Sequence, residues 1–245
     1  MIDTSISQVF NADNRQVFVQ MEDNSIDAII TDPPYKDYQS NRPTVRGKVA
    51  KIDSSDFDIP FFLKQSARVL KQGSHFYCWC DHLTFPSFVN EINILRDKKI
   101  CEKSSDYLTY KNCLIWVKNN HGSGDLRGNY APQHEMIIFA IKGNKGRPLL
   151  GKRIPNVLFK RTERGIKFYP KVSNYAFQHG TSKPLEILDI LISKSTSESE
   201  VILDPYAGSM STAISCIKQR RIYIMIEKDR EHYEVGMRRI KEHQK

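Results

Sequence analysis

The sequence predicts an α/β protein built on a mainly parallel sheet. Strand-like and helix-like segments alternate along most of the chain, as they do when helices pack on a sheet. Three short strand-like runs each stop at an acid: Ile26–Thr31 before Asp32, Val201–Leu203 before Asp204, and Arg221–Ile226 before Glu227. With 245 residues, 40% hydrophobic and 27% charged, the chain can form one well-cored domain, or one domain carrying an insertion.

Each element has a local reason. Gln8–Phe10 reads as a strand leading into Asn11-Ala12-Asp13, and Asn14 to about Met21 as a helix. From Phe57 to Leu70 apolar residues recur at helical spacing (Phe61, Phe62, Ala67, Val69, Leu70), with Gly73 as the expected stop. His75–Cys80 is an aromatic strand, Phe85–Leu95 a helix, and Leu108–Val117 and Glu135–Ile141 are strands separated by the Gly/Asn-rich His121-Gly122-Ser123-Gly124. From Lys142 to Gln178 the pattern dissolves into Gly, Pro and basic residues with short apolar pieces. Lys183–Ile192 is a helix with Pro184 in its tolerated first turn. Beyond the polar break Ser193–Ser197, the strand ending at Asp204 turns through Pro205-Tyr206-Ala207-Gly208-Ser209 into a helix from Met210 to Lys218. The strand ending at Glu227 then leads to a terminal helix, Asp229–His243.

Charge separates the regions. Between Lys118 and Gly180 stand 12 Lys/Arg against three acids, which accounts for the whole formal net charge of +9; the rest of the chain balances. A neutral body with one cationic segment suits a polyanion partner, although a solvated basic face reads the same way. The residues after Tyr35 add Lys36, Arg42, Arg46, Lys48 and Lys51 against Asp37. No apolar run approaches the roughly 20 residues that span a bilayer, and Met1–Ser5 carries no secretory signature. Five cysteines without regular spacing point to reduced thiols and a cytoplasmic setting.

The chemistry concentrates in two places. Asp32-Pro33-Pro34-Tyr35 sets a carboxylate, two rigid prolines and an aromatic ring at the end of a strand. Such a group can grip the exocyclic amine of a planar base: Asp32 and backbone carbonyls accept its hydrogens, and the Tyr35 ring stacks on it. A plain Pro-Pro turn is the structural alternative. At the other end of the chain, strand, glycine turn, helix, strand and acid is the logic of adenosine binding in an open α/β sheet. Gly208 permits close backbone approach, and Glu227, 19 residues on, can accept from ribose hydroxyls. The full dinucleotide glycine pattern is absent, which disfavours a pyrophosphate ligand.

Taken in order, Asp32-Pro33-Pro34-Tyr35, a variable segment, Lys183-Pro184, Asp204-Pro205-Tyr206-Ala207-Gly208-Ser209 and Glu227 resemble the amino-directed DNA methyltransferases that use S-adenosylmethionine. Tyr77–Cys80, Leu114–Lys118 and His134–Phe139 also look like family segments. A catalytic motif that precedes the cofactor motif is the circularly permuted β-group arrangement. The resemblance implies a Rossmann-like methyltransferase fold, with a mostly parallel seven-stranded sheet, one reversed strand and an inserted target-recognition segment. It divides the chain into a catalytic half (1–117), a basic recognition insertion (118–178) and a cofactor-binding half (179–245). It assigns catalysis to Asp32, Pro33, Pro34 and Tyr35. Cofactor binding falls to Asp13, Asp32, Lys183, Asp204, Tyr206, Ala207, Gly208, Ser209 and Glu227. Asp13 reads equally as a helix N-cap, and Lys183 as a solvated lysine at a helix start. The implied reaction methylates N6 of a flipped adenine in a specific DNA sequence, in a restriction-modification setting, with a homodimer as a frequent family assembly.

Two positions depart from the family pattern. Met210 stands where the cofactor turn usually has a second glycine, and His179-Gly180-Thr181-Ser182-Lys183-Pro184 replaces His-Pro-Thr-Gln-Lys-Pro. No metal is expected: Cys78 and Cys80 would share one strand face, and His75 and His82 supply no second pair at finger spacing. Competing readings are an RNA N6-adenine methyltransferase, a DNA N4-cytosine methyltransferase, and a catalytically silent nucleic-acid-binding relative.

Overall fold

Burial of both faces of the central strands decides the architecture. The computed structural model describes residues 1–34, 57–97, 106–121, 127–170 and 182–244. The first half comprises β1 (Gln8–Asn11), α1 (Asn14–Phe18), β2 (Ile26–Thr31), α2 (Ile59–Val69), β3 (Leu70–Cys80), α3 (Phe85–Arg96) and β4 (Leu108–Val117). Then follow β5 (His134–Lys142), β6 (Val157–Leu158), β7 (Lys160–Thr162) and β8 (Gly165–Lys167). The C-terminal part holds α4 (Leu185–Ser195), β9 (Val201–Asp204), α5 (Ser211–Lys218), β10 (Ile222–Glu227) and α6 (Arg230–His243).

One sheet runs in the order β1-β10-β9-β2-β3-β5-β4-β6, and β7 and β8 form a separate hairpin. Neighbours from β1 through β3 are parallel, and β5 runs against both β3 and β4. The two-residue β6 extends the expected seven-stranded sheet alongside β4. Counted from β9, the seven longer strands lie in the order third, second, first, fourth, fifth, seventh, sixth. The chain therefore enters the series at its third strand, and its last strand pairs with its first.

The two-residue period of a strand sends successive side chains to opposite faces. Ile29, Phe76, Cys78, Cys80, Leu203 and Ile224 pack with α1, α2 and α3. Ala28, Ile30, Tyr77, Trp79, Ile202 and Met225 pack with α4, α5 and α6. Cys78 and Cys80 share a face, as their spacing requires, and line the core there. Burial of both faces explains why β9 is apolar up to Asp204 and why β2 is apolar apart from Asp27 and Thr31.

Local chemistry sets the helix starts. Asp13, Asp58 and Asp229 cap α1, α2 and α6, accepting from the N–H groups of Arg15, Phe61 and His232; such caps contribute about 1 kcal/mol each. Several expected boundaries move: α1 ends at Phe18 rather than about Met21, and α4 continues past Ile192 to Ser195. Gly73 does not stop α2, which ends at Val69; it lies inside β3 at φ +76°, where a Cβ would stand 2.9 Å from the Lys145 carbonyl oxygen. Pro184 is extended at ψ 134° and caps α4, so that helix begins at Leu185. No helix among the described residues is long and apolar enough to cross a membrane.

Candidate active site

Four parallel strands, β1, β10, β9 and β2, finish side by side at Asn11, Glu227, Asp204 and Thr31. Adjacent strands lie about 4.8 Å apart, so residues far apart in sequence meet along one edge. The register puts Asn11 opposite Glu227 and Asp204 opposite Met225. Asn11 Nδ2 donates to the Glu227 carbonyl at 2.9 Å, and the Ala12 N–H donates to the same oxygen at 3.2 Å. Asp32, one residue past β2, is close enough for its charge to help push up the Asp204 carboxyl. The two ends of the chain thus build one site.

The turn after β9 is fixed by its own acids. Asp204 accepts from the Thr212 hydroxyl at 2.6 Å and the Tyr206 N–H at 3.1 Å. Burial pushes its carboxyl up to about 6. Gly208, at φ +51°, turns its N–H onto Glu227 Oε2 at 2.7 Å, while the Asp229 N–H reaches Oε1 at 2.7 Å. Burial raises the Glu227 carboxyl against these two hydrogen bonds. The Tyr206 ring meets Phe57 and Phe62 edge-on, each at 5.6 Å. Ala207 is anchored by its N–H to the Ile226 carbonyl at 2.9 Å.

Ser209 is held from two other parts of the chain. Its hydroxyl lies 2.7 Å from that of Ser182, and Arg239 of α6 donates to its carbonyl and hydroxyl oxygens. Met210, where the family pattern has glycine, adopts the left-handed conformation at φ 63° as the residue before α5. Only glycine enters that region without cost, so this turn stores strain. Gly236 of α6 faces Met210 so closely that a Cβ there would overlap its side chain. The large residue in the turn and the small one in the helix answer each other.

Asp13 is both an N-cap and a member of the edge. Its carboxylate accepts from the Arg15 backbone and guanidinium, pairs with Lys228 at 3.3 Å, and is pulled well below the usual range by Arg15.

The tetrapeptide that starts at Asp32 begins with an ion chain. Lys183 Nζ lies 2.6 Å from Asp32 Oδ2 and 3.1 Å from Glu135 Oε2, and Lys118 Nζ lies 2.9 Å from Glu135 Oε1. Lys183 is 9% exposed. Burial alone would lower its ammonium, but the Asp32 and Glu135 carboxylates outweigh it and hold Lys183 above the usual lysine value. Burial likewise opposes the charge on Glu135, and Lys183 and Lys118 outweigh it, leaving that carboxyl below its ordinary value. Pro33 is buried and Pro34 half-buried. Tyr35, the basic residues from Lys36 to Lys51, and His179-Gly180-Thr181 lie outside the described residues.

The sequence singled out Lys183 but not its second partner. Glu135 carried one signal, an acid inside a strand of the most basic quarter of the chain. Arg239 and Asn14, which holds the Pro205 carbonyl at 3.3 Å, carried none.

A family model described as DNA methylase matches residues 26–238. The chain belongs to that DNA methylase family. Among its relatives, the Type II methyltransferase M.BamHI of Bacillus amyloliquefaciens is 25% identical over 240 residues, which cover 85% of this chain and 51% of that protein. The chain thus spans about half the length of M.BamHI. A crystal structure of an M1.HpyAVI–SAM complex superposes with a TM-score of 0.66 at 20% identity, covering 96% of this chain and all of that one. PvuII DNA methyltransferase, cytosine-N4-specific, gives 0.68 at 14% identity over 96% of this chain and 86% of its own. At those identities the likeness speaks to the fold, and the fold of this DNA methylase is that of a Rossmann-like methyltransferase.

Proposed function

We propose that this DNA methylase transfers a methyl group from S-adenosylmethionine to the N6 amine of adenine in a specific DNA sequence. The observation that carries the reading is the shared strand edge, where Asp32 stands beside the turn closed by Gly208 and Glu227. The same edge fits the donor's chemistry. Asp13, Asp32, Asp204 and Glu227 gather carboxylates where a ligand with cationic sulfonium and amino groups would sit, and Gly208 presents backbone without a side chain. The donor, when bound, supplies an electrophilic methyl group.

The chain's own residues do the remaining work. Asp32 and the Pro33 carbonyl accept the two amine hydrogens and turn the nitrogen lone pair, otherwise delocalised into the ring, toward the donor. Glu227 holds the donor's ribose and Asp13 its adenine side. Tyr35 stacks on the target base, which must leave the duplex to reach the site.

Residues 118–178 include β5, a strand of the sheet, so the recognition role falls to the parts around it. Within that segment Lys142 and Arg147 serve the fold, paired with Asp106 and Glu200, while Lys118 is engaged by Glu135. Lys152, Arg153, Lys160, Arg164 and Lys167 are exposed and suit phosphate contacts.

Asp32 at the head of the tetrapeptide supports adenine. The cytosine-N4-specific neighbour has the same fold, so the base must be read chemically. The test is expression in a methylation-deficient host followed by long-read mapping of modified bases, with labelled-donor transfer to DNA and RNA alongside. N6-methyladenine at one DNA motif is expected. N4-methylcytosine would overturn the base assignment, transfer to RNA alone the substrate, and no transfer the activity.

A further inference from the structure

We propose that Glu135 is a positioning residue for methyl transfer, acting through Lys183 on Asp32 and held in turn by Lys118; this rests on the methyltransferase reading above. The four groups alternate in sign, Lys118–Glu135–Lys183–Asp32, with contacts of 2.9, 3.1 and 2.6 Å. They come from four separated places: the residue after β4, strand β5, the residues before α4, and the residue after β2. Nothing in local sequence brings them together.

Lys118 is itself fixed. Its N–H donates to the Gln133 carbonyl at 2.8 Å, and Gln133 Nε2 returns a bond to the Lys118 carbonyl at 3.1 Å. On the other side the Lys183 ammonium lies 5.9 Å from the centre of the Trp79 ring, a face that screens it from water.

The geometry gives Glu135 a specific job. An ammonium shared between two acids is held between them, and each carboxylate is oriented by the oxygen it gives up. With Oδ2 turned to Lys183, the plane of the Asp32 carboxylate is set before the target amine arrives. Without the Glu135 charge, Asp32 is the remaining carboxylate on Lys183 among the described residues, and the ammonium settles more tightly onto it. The ammonium then competes with the amine for the acceptor and pulls it out of line. Charges in a site shielded from water are felt strongly, so a small displacement carries a large effect on rate.

The test uses the full chain with Glu135→Gln, which keeps the shape and removes the charge. Single-turnover methylation is expected to fall by about 10- to 100-fold, with donor affinity by calorimetry within about twofold of wild type. Lys118→Met should move the rate in the same direction by less. Crystal structures of wild type and Glu135→Gln supply a readout independent of activity: Lys183 Nζ should bridge both acids in the first and shift toward Asp32 in the second. Undiminished turnover in Glu135→Gln overturns the inference alone. So does a rate loss matched by lost donor binding, or a wild-type Lys183 turned away from either acid. A lowered melting temperature with the rate intact marks a merely structural role and overturns it too. A wild-type protein that methylates nothing overturns both readings.

Discussion

Asp32 and Glu227 stand on the same strand edge, yet opposite devices hold them. Asp32 is met by a buried ammonium, itself shared with Glu135. Glu227 is met by two backbone N–H groups and Asp204 by a hydroxyl and one N–H, and burial raises both carboxyls. A full charge orients an acid through a short charge-assisted contact. Dipoles satisfy its hydrogen bonds while burial still favours the proton. The first arrangement suits an acceptor that must act on a poorly nucleophilic amine. The second suits a rigid cradle whose acids and backbone are fixed in place before a ligand arrives.

The strongest way to break this comparison is to remove each acid in turn. Asp32→Ala should lower turnover by about 10³-fold or more while calorimetry shows donor binding retained. Glu227→Ala should reverse the pattern, weakening donor binding by about 10- to 100-fold, since two backbone donors lose their acceptor. If both variants lose the same property, the division of labour is wrong.

A pH titration sharpens it. Between the ordinary aspartate value of 3.8 and about 6, the folded protein keeps a proton on Asp204 that the unfolded chain has released. Stability should therefore fall as pH rises through that window, by about 2 kcal/mol at most. Urea denaturation at pH 4.5 and 6.5 would show it, and Asp204→Asn should flatten the slope. Asp13, lowered by Arg15, contributes with the opposite sign: its stabilisation is lost as pH falls below 4.

The smallest effect tests the cradle's packing. Gly236→Ala should destabilise by about 1 kcal/mol through collision with Met210. Combination with Met210→Gly should recover most of that loss, because the same exchange clears the clash and relieves the left-handed residue. Additive losses in thermal melts would mean that α6 and the turn are not coupled.

Much of the fold was legible because its signals are local. The runs Ile26–Thr31 and Val201–Asp204 are strands within a residue of where their apolar patterns end, and the terminal helix expected over Asp229–His243 is α6, which starts one residue later with Asp229 as its cap. Gly73 misled because glycine signals a backbone need without saying which; here the need is a close approach to Lys145, which comes from another part of the chain. Lys183 was visible as a residue, but it is buried rather than solvated, and no local signal pairs it with its protein partners. Its two partners lie 151 positions earlier and 48 positions earlier, where no spacing rule reaches.

What the sequence determined by itself was the seven longer strands, the acids that end three of them and the segment that carries the positive charge, because periodicity and composition act between near neighbours. Only the tertiary structure decided which of those acids would meet a cation. Pairing β1 with β10 and laying β5 against β3 bring together groups from both ends of the chain and from its middle, and burial then turns each proximity into a strong electrostatic constraint.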